Sequence, residues 1–263
     1  MPVFSRLTLA TTVTVLALSL AGCANHAAAT NGNEAGLDQT NDPYEPVNRF
    51  FYRVNNALDA VVLKPAAIAY VNILPAPART SVHNVLTNLD SPVRFANDVL
   101  QGSPGRSGNT AARFVINSTV GLGGLFDPAT GWGFPYKPTD FGVTLALWGV
   151  NPGPYLYLPL LGPSDPRDAV GYGVDTGIDP FSYIGKGATV TELRYIRFGV
   201  YGLDARANAL GPLSGIERTA LDPYATLRSL YRQNRASVVK ATEADEAPRP
   251  PPAPAAYGNP QTK

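Results

Sequence analysis

The sequence predicts a mostly α, single-domain protein, and three observations carry that prediction. Aspartate or serine followed by proline recurs just ahead of segments with helical spacing. Apolar residues in those segments repeat at i, i+3, i+4 and i+7, and strict two-residue alternation is nearly absent. Residues 42–235 hold enough apolar side chain to bury one substantial core, which is the content of a single domain.

The chain begins with Arg6, an uncharged apolar run over residues 7–20, and then Leu20-Ala21-Gly22-Cys23. That order is expected of a secretory signal peptide over residues 1–22. As a helix the run is roughly 21 Å long, too short for a hydrocarbon core of about 30 Å, so it reads as a signal rather than a span. Ala21 and Gly22 leave room for a peptidase before Cys23, and the tetrapeptide resembles a bacterial lipobox. The other reading is an ordinary signal peptide with a chance cysteine nearby. Cys23 is the only cysteine of 263 residues, so a disulfide within the chain and a paired-thiolate metal site are both excluded. Lipidation by acyl chains such as palmitate is the use left to it. Residues 23–41 are small and polar, as a lipidated flexible tether would be. The next residue is Ala24 rather than an aspartate, and by resemblance to enterobacterial lipoproteins this favours sorting to the outer membrane.

The helix starts come next. Asp42-Pro43, Ser91-Pro92, Asp165-Pro166 and Asp222-Pro223 each place an N-cap oxygen before a proline that needs no amide partner. Glu45 and Asp168 follow three residues after Asp42 and Asp165 in the manner of a capping box. Behind Asp42, Val47, Phe50, Phe51, Val54, Leu58, Val61 and Val62 keep helical spacing. Val82, Val85, Leu86 and Leu89 form a second stripe, and Val190, Leu193, Ile196, Val200, Leu203, Ala207 and Leu210 a third. Val143, Leu145 and Leu147 alternate, but Phe141, Leu145 and Trp148 fit a helix equally well.

Residues 114–126 and 141–164 carry no charge. Gly149, Pro152, Gly153, Pro154 and Pro159 break the second stretch, so it is expected as a helix, a turn and an extended apolar edge rather than one spanning helix. Either it is buried core, or its aromatics among leucines sit at a bilayer interface. Residues 236–263, with prolines at 248, 250, 251, 252 and 254, are expected to form a disordered or extended tail.

The formal charge of +1, with no basic block, argues against nucleic acid as a partner. No cofactor is implied. His83 is the only histidine of the domain and lies on the polar side of its helix, so any Ser-His-Asp set would need it, and no G-x-S-x-G elbow presents a nucleophile. H-E-x-x-H is absent, and Gly171-Tyr172-Gly173 with Gly177 misses the dinucleotide spacing. Those glycines are expected to thin a helix for close packing. The chain reads as a non-enzyme.

A set of words then runs in order through the domain: Asp42-Pro43-Tyr44-Glu45 with Asn48-Arg49, Thr87-Asn88-Leu89, Leu100-Gln101-Gly102, residues 113–124 (RFVINSTVGLGG), Asp140-Phe141-Gly142-Val143-Thr144-Leu145, Gly153-Pro154-Tyr155 through Pro159-Leu160-Leu161-Gly162-Pro163, Arg167-Asp168 and Asp222-Pro223-Tyr224. It resembles the VacJ/MlaA family of outer-membrane lipoproteins from Asp42 to about Tyr231, departing at Pro46 and in the short proline-rich tail. The resemblance implies a ring-like helical domain embedded in one membrane leaflet, the inner leaflet of the outer membrane, facing the periplasm and held by an N-terminal lipid anchor. It implies an amphipathic channel that removes mislocalised phospholipid from the outer leaflet and so maintains lipid asymmetry. The implied partners are phospholipid, a trimeric porin and a soluble periplasmic lipid carrier serving an inner-membrane transporter. Arg113, Asn117 and Asp140 are the expected channel-lining or bracing residues, with Arg113 and Asp140 alternatively a structural ion pair. Gly121, Gly123 and Gly124 are expected to act as a hinge, or else to close a helix before a loop. A phospholipase-like enzyme and a purely structural envelope tether are the rival readings.

Overall fold

The computed structural model describes residues 41–183 and 188–246. The expected signal segment, Cys23, the tether to Thr40 and the proline-rich residues beyond Glu246 lie outside the described residues. Helix α1 (Glu45–Leu58) runs through a π-helical turn (Asp59–Leu63) into α2 (Lys64–Ile73). Pro65 explains the turn: it has no amide to donate and its ring crowds the carbonyl four residues back, and the backbone takes a wider turn in which the Lys64 amide reaches the Asp59 carbonyl. Then follow α3 (Ala76–Leu89), α4 (Ser91–Leu100), α5 (Pro104–Thr119), the single turn α6 (Pro128–Gly131) and α7 (Phe141–Leu147).

The expected extended edge is an antiparallel hairpin of β1 (Leu156–Leu158) and β2 (Gly162–Ser164), with Leu156 opposite Ser164 and Leu158 opposite Gly162. Helix α8 (Pro166–Ile178), a 3₁₀ turn (Pro180–Ser182), α9 (Ala188–Asn208), α10 (Leu210–Thr219) and α11 (Pro223–Glu246) complete the domain. The fold is mostly helical, as the periodicity requires. The alternating residues 143–147 lie in α7, where Phe141 and Trp148 meet edge to face with ring centroids 5.8 Å apart. Their helical spacing outweighs the alternation.

Two of the four expected caps hold. Asp165 accepts from the amide of Asp168 at 2.9 Å, and Asp222 from that of Ala225 at 3.1 Å. Asp42 does not cap α1, which starts two residues later than Pro43; its carboxylate instead accepts from Asn48 at 2.7 Å, from Arg228 at 2.7 Å and from the Tyr224 hydroxyl. Ser91 is the first residue of α4 rather than its cap, and its hydroxyl donates back to the Thr87 carbonyl. The capping boxes fail for different reasons: with α1 starting at Glu45, that residue is its first position and pairs with Arg49, whereas Asp168 is drawn off its cap by Arg235, whose charge outcompetes a backbone amide. Asp140 and Asp127 are caps as well, on α7 and α6.

Domain limits also shift. The Asn41 carbonyl accepts from the Tyr155 amide at 2.9 Å and from Arg232 at 3.0 Å, so the fold begins one residue earlier than expected. Helix α11 continues eleven residues past Arg235 to Glu246, where a tail was expected from residue 236. Thr242, nearly fully buried, and Asp245, bound by Arg106, are the reason: tertiary contacts hold a segment whose proline composition begins only at 248.

The apolar core is small. Tyr155, Tyr157 and Tyr224 are its centre, with Phe51, Tyr52 and Tyr231 packed around them, and the rings meet edge to face at 5.5–6.1 Å. Close helix crossing is bought by glycine at one place: a Cβ on Gly171 would stand 2.4 Å from the Gly142 amide nitrogen, so α8 lies directly against α7. Gly173 and Gly177, expected to thin the same helix, face open space.

Candidate functional site

Amphipathicity here points the opposite way from that of a water-soluble helical domain. Along α1 and the π turn, Val47, Phe50, Val54, Leu58, Val61 and Val62 are exposed, Val61 to 76%. The opposite face carries Asn48, Asn55 and Asp59, and all three are engaged inward. Asn48 bonds the backbone of Tyr155 and Tyr157, Asn55 the carbonyl of Leu158 at 2.9 Å, and Asp59 takes both arms of Arg206 at 2.6 and 2.8 Å. Helix α4 repeats the pattern: Phe95, Val99 and Leu100 face out, while Arg94, Asn97 and Asp98 are buried. Trp132, Trp148, Leu160 and Leu161 add to the apolar exterior. The uncharged stretch 141–164 thus divides, with Tyr155 and Tyr157 in the core and Trp148 and Leu160 outside. Among the described residues, more polar and charged side chains are buried than apolar ones. An apolar exterior of this extent is costly in water and is matched by hydrocarbon. No helix among the described residues is long and apolar enough to cross a membrane.

The interior is built from ion pairs that tie helices distant in sequence. Asp98, fully buried, takes the Nε of Arg106 at 3.2 Å and the Thr110 hydroxyl at 2.6 Å, joining α4 to α5; Arg106 also reaches Asp245 at 2.7 Å and the Pro138 carbonyl at 3.0 Å. Arg235 on α11 bridges Asp140 of the α7 cap at 2.6 and 3.0 Å and Asp168 of α8 at 2.8 Å. Arg49 holds Asp222 and lies over the Tyr224 ring at 4.4 Å. The Arg106–Asp98 and Arg235–Asp168 pairs are buried or nearly so, where a guanidinium fork meeting a carboxylate gives short, direction-specific contacts, while the Arg49–Asp222 pair is partly exposed.

Arg113 and Asn117 come together, but with Asp127 rather than Asp140. Arg113 donates to Asp127 at 3.0 Å and to Thr130 at 2.8 Å, and Asn117 donates to the other Asp127 oxygen at 2.9 Å. Asp140 belongs to the Arg235 bridge, so the expected alternative of an Arg113–Asp140 pair is not formed. The sequence named neither true partner: Asp127 meets Arg113 and Asn117 only once the chain after α5 folds back, and Arg235 reaches Asp140 from ninety-five residues away. Gly123 and Gly124 have positive φ and close α5, their amides donating to Ser118 and Asn117 at 3.0 and 2.8 Å. Gly121 and Gly124 are also approached closely: a Cβ there would meet the Asn117 carbonyl at 2.5 Å and the Asn88 side chain at 2.6 Å. Gly123 faces open space.

His83 is exposed and binds Asp204 at 2.8 Å through Nδ1. Among the described residues no serine or threonine hydroxyl completes a triad with it, and no group of His, Cys, Asp or Glu is placed to hold a metal.

Several carboxylates are shifted, with opposite consequences. At Asp127, burial opposes the charge, but hydrogen bonds from Thr130, Asn117 and Arg113 outweigh it and bring the carboxyl down to about 2. At Asp175, burial dominates over the bonds from the Phe141 amide and Asn97 and raises the carboxyl. A folded-state pKa below the unfolded one gives stability that is complete above the unfolded value and is lost on acidification through the folded one. The Asp127 contribution should therefore be full above about pH 5 and fall away between about pH 4 and 2. Thermal melts across that range check this: Asp127→Asn should flatten that part of the profile, and an unchanged profile would refute it.

The MlaA lipoprotein family model matches residues 40–238. The intermembrane phospholipid transport system lipoprotein MlaA of Haemophilus influenzae is 34% identical over 228 residues, covering 85% of this chain and 87% of that protein. The lipoprotein of the same name from Escherichia coli is 32% identical over 231 residues, covering 85% and 86%. A solved chain from a study of how bacteria maintain outer-membrane lipid asymmetry superposes with a TM-score of 0.66 at 32% identity, covering 75% of this chain and 98% of that one. With a family match over residues 40–238 and relatives of this identity along most of the chain, the chain belongs to the MlaA lipoprotein family.

Proposed function

We propose that this protein sits in the periplasm-facing leaflet of the outer membrane, anchored through acyl chains on Cys23, and withdraws mislocalised phospholipid from the outer leaflet. The lipid headgroup follows a polar passage through the helical domain and the lipid is then handed to a periplasmic carrier, preserving lipid asymmetry. One observation carries the reading: apolar side chains face outward while arginine and aspartate pairs fill the interior, and no helix among the described residues is long and apolar enough to cross a membrane. A headgroup loses its hydration in hydrocarbon at large cost, and a polar lining lowers that cost while the tails remain against apolar surface. The names of the relatives, which are phospholipid-transport lipoproteins, support the same reading.

In this proposal Arg113, Asn117 and Asp140 brace the passage through Asp127 and Arg235, and Gly121, Gly123 and Gly124 let the chain after α5 pack closely and bend. A trimeric porin is the proposed neighbour in the membrane, and no covalent chemistry is required. The test is surface-exposed phospholipid in cells lacking the protein and in cells carrying Cys23→Ser. Both should accumulate it relative to the native strain. Unchanged asymmetry in the deletion strain would overturn the transport reading, and fatty acid released by the purified protein would favour a phospholipase instead.

A further inference from the structure

Three helices turn polar faces toward one another at a place the ion-pair framework does not use up. Asp90, Arg94 and Asn97 share one face of α4 and its cap; Tyr172, Asp175 and Asp179 share one face of α8 and its end; Arg197 and Tyr201 share one face of α9. The faces are stitched together by Asn97 to Asp175 at 2.7 Å, Arg197 to Asp90 at 3.3 Å, and Arg197 to Asp179. Tyr136 closes the group from the loop before α7, its ring centroid 4.5 Å from the Arg94 guanidinium.

Two features mark this as the wall of an opening rather than sealed core or outer surface. Tyr136, Tyr172 and Tyr201 are each about half exposed, yet burial is the main cause that raises the Tyr201 hydroxyl's pKa, with Asp90, Tyr136 and Tyr172 adding to it and Arg94 opposing. Arg94 is 9% exposed and spends only Nη2, on Asp90 at 3.0 Å; its Nε and Nη1 have no hydrogen-bond partner among the described residues, and neither belongs to the fully enclosed unpaired atoms. A guanidinium this withdrawn with two open N–H groups is ready to donate to a pair of phosphate oxygens. Near it stand Asp90 and Asp175, which repel one another, and the half-exposed Tyr172 and Tyr201. Carboxylates next to aromatic faces suit an ammonium group.

We infer that this recess between α4, α8 and α9 is a headgroup station for zwitterionic phospholipid, with the phosphate on Arg94 and the ammonium among Asp90, Asp175 and the tyrosine rings. The inference rests on the transport reading for its substrate and adds a preference that reading does not contain. Local charge explains the preference: Arg94 and Arg197 are already offset by Asp90 and Asp179, so an anionic headgroup adds an uncompensated negative charge beside Asp175, whereas a zwitterion adds none.

The test is calorimetric titration of the purified full-length protein with short-chain phosphatidylethanolamine, short-chain phosphatidylglycerol and inorganic phosphate. Phosphatidylethanolamine should bind about tenfold tighter than phosphatidylglycerol, and Arg94→Gln should weaken both lipids by about tenfold or more, as loss of charge-assisted hydrogen bonds does. Asp175→Asn should bring the two lipids to similar affinity. Because Arg94 also holds Asp90, Tyr201→Leu supplies a second variant: it removes the ring face at a half-exposed position and should weaken phosphatidylethanolamine binding with the fold intact by circular dichroism. Equal affinity for both lipids, inorganic phosphate binding as tightly as phosphatidylethanolamine, or Arg94→Gln and Tyr201→Leu both binding like the native protein would each overturn the station. Unaltered asymmetry in cells lacking the protein would instead overturn the transport reading and leave the titration result standing.

Discussion

Replacing Arg235 by alanine should cost this protein about 3 kcal/mol of stability, the low end for breaking a buried ion pair by removing one partner. Arg235 is 16% exposed and bridges Asp168, 10% exposed, and Asp140, 39% exposed. Without it Asp168 keeps only Arg167 and the Tyr231 hydroxyl, and Asp140 keeps its bond from the Val143 amide. The value stays at the low end because water reaches Asp140. Thermal unfolding of the detergent-solubilised protein should show a drop of roughly 10 °C for a domain of this size. Arg235→Lys should recover part of it, since an ammonium keeps the charge but loses the fork that engages two carboxylates at once. A melting temperature within a degree or so of the native value would show that α11 is held by its apolar contacts instead.

The second large effect concerns the outward face of α1. Phe50→Asp combined with Val61→Asp should detach the domain from bilayers without unfolding it, because both side chains are exposed and neither lies in the tyrosine core. A charge within one leaflet costs about 2 kcal/mol or somewhat more, so each substitution should lower partitioning roughly thirtyfold. The measurement is flotation with phospholipid vesicles, made in a Cys23→Ser background so that the acyl anchor does not mask the result. The parent should float and the double variant should remain in the aqueous fraction. A parent that stays in solution would remove the basis for a submerged domain.

These two residues sets, Arg235 with its carboxylates and Phe50 with Val61, also mark where sequence reading succeeded and where it stopped. Helical spacing behind Asp42 was legible because a helix imposes its period on any stripe that meets a single medium. The period is the same whether that medium is protein core or hydrocarbon, so it does not say which way the stripe faces. Orientation was settled by Asn48, Asn55 and Asp59, whose inward partners lie on the hairpin and on α9, about a hundred residues or more away. Asp165 and Asp222 were legible as caps because a cap is a contact over three residues. Asp42 was not, because Tyr224 and Arg228 compete for its oxygens across the whole chain. Arg113 and Asn117, one helical turn apart on α5, were legible as neighbours, but their shared partner Asp127 lies beyond the turn that ends the helix, and Asp140 is claimed by Arg235 from ninety-five residues away.

Sequence alone determined the helical class, the family, and the uncharged stretches that a membrane protein can carry. All of these depend on near neighbours or on composition. Tertiary structure alone decided which oxygens each arginine binds, which face of α1 meets the outside, and how far α11 extends. The physical reason is that an ion pair in low dielectric is strong enough to override a local cap, and its partners are fixed only once the chain has closed around them.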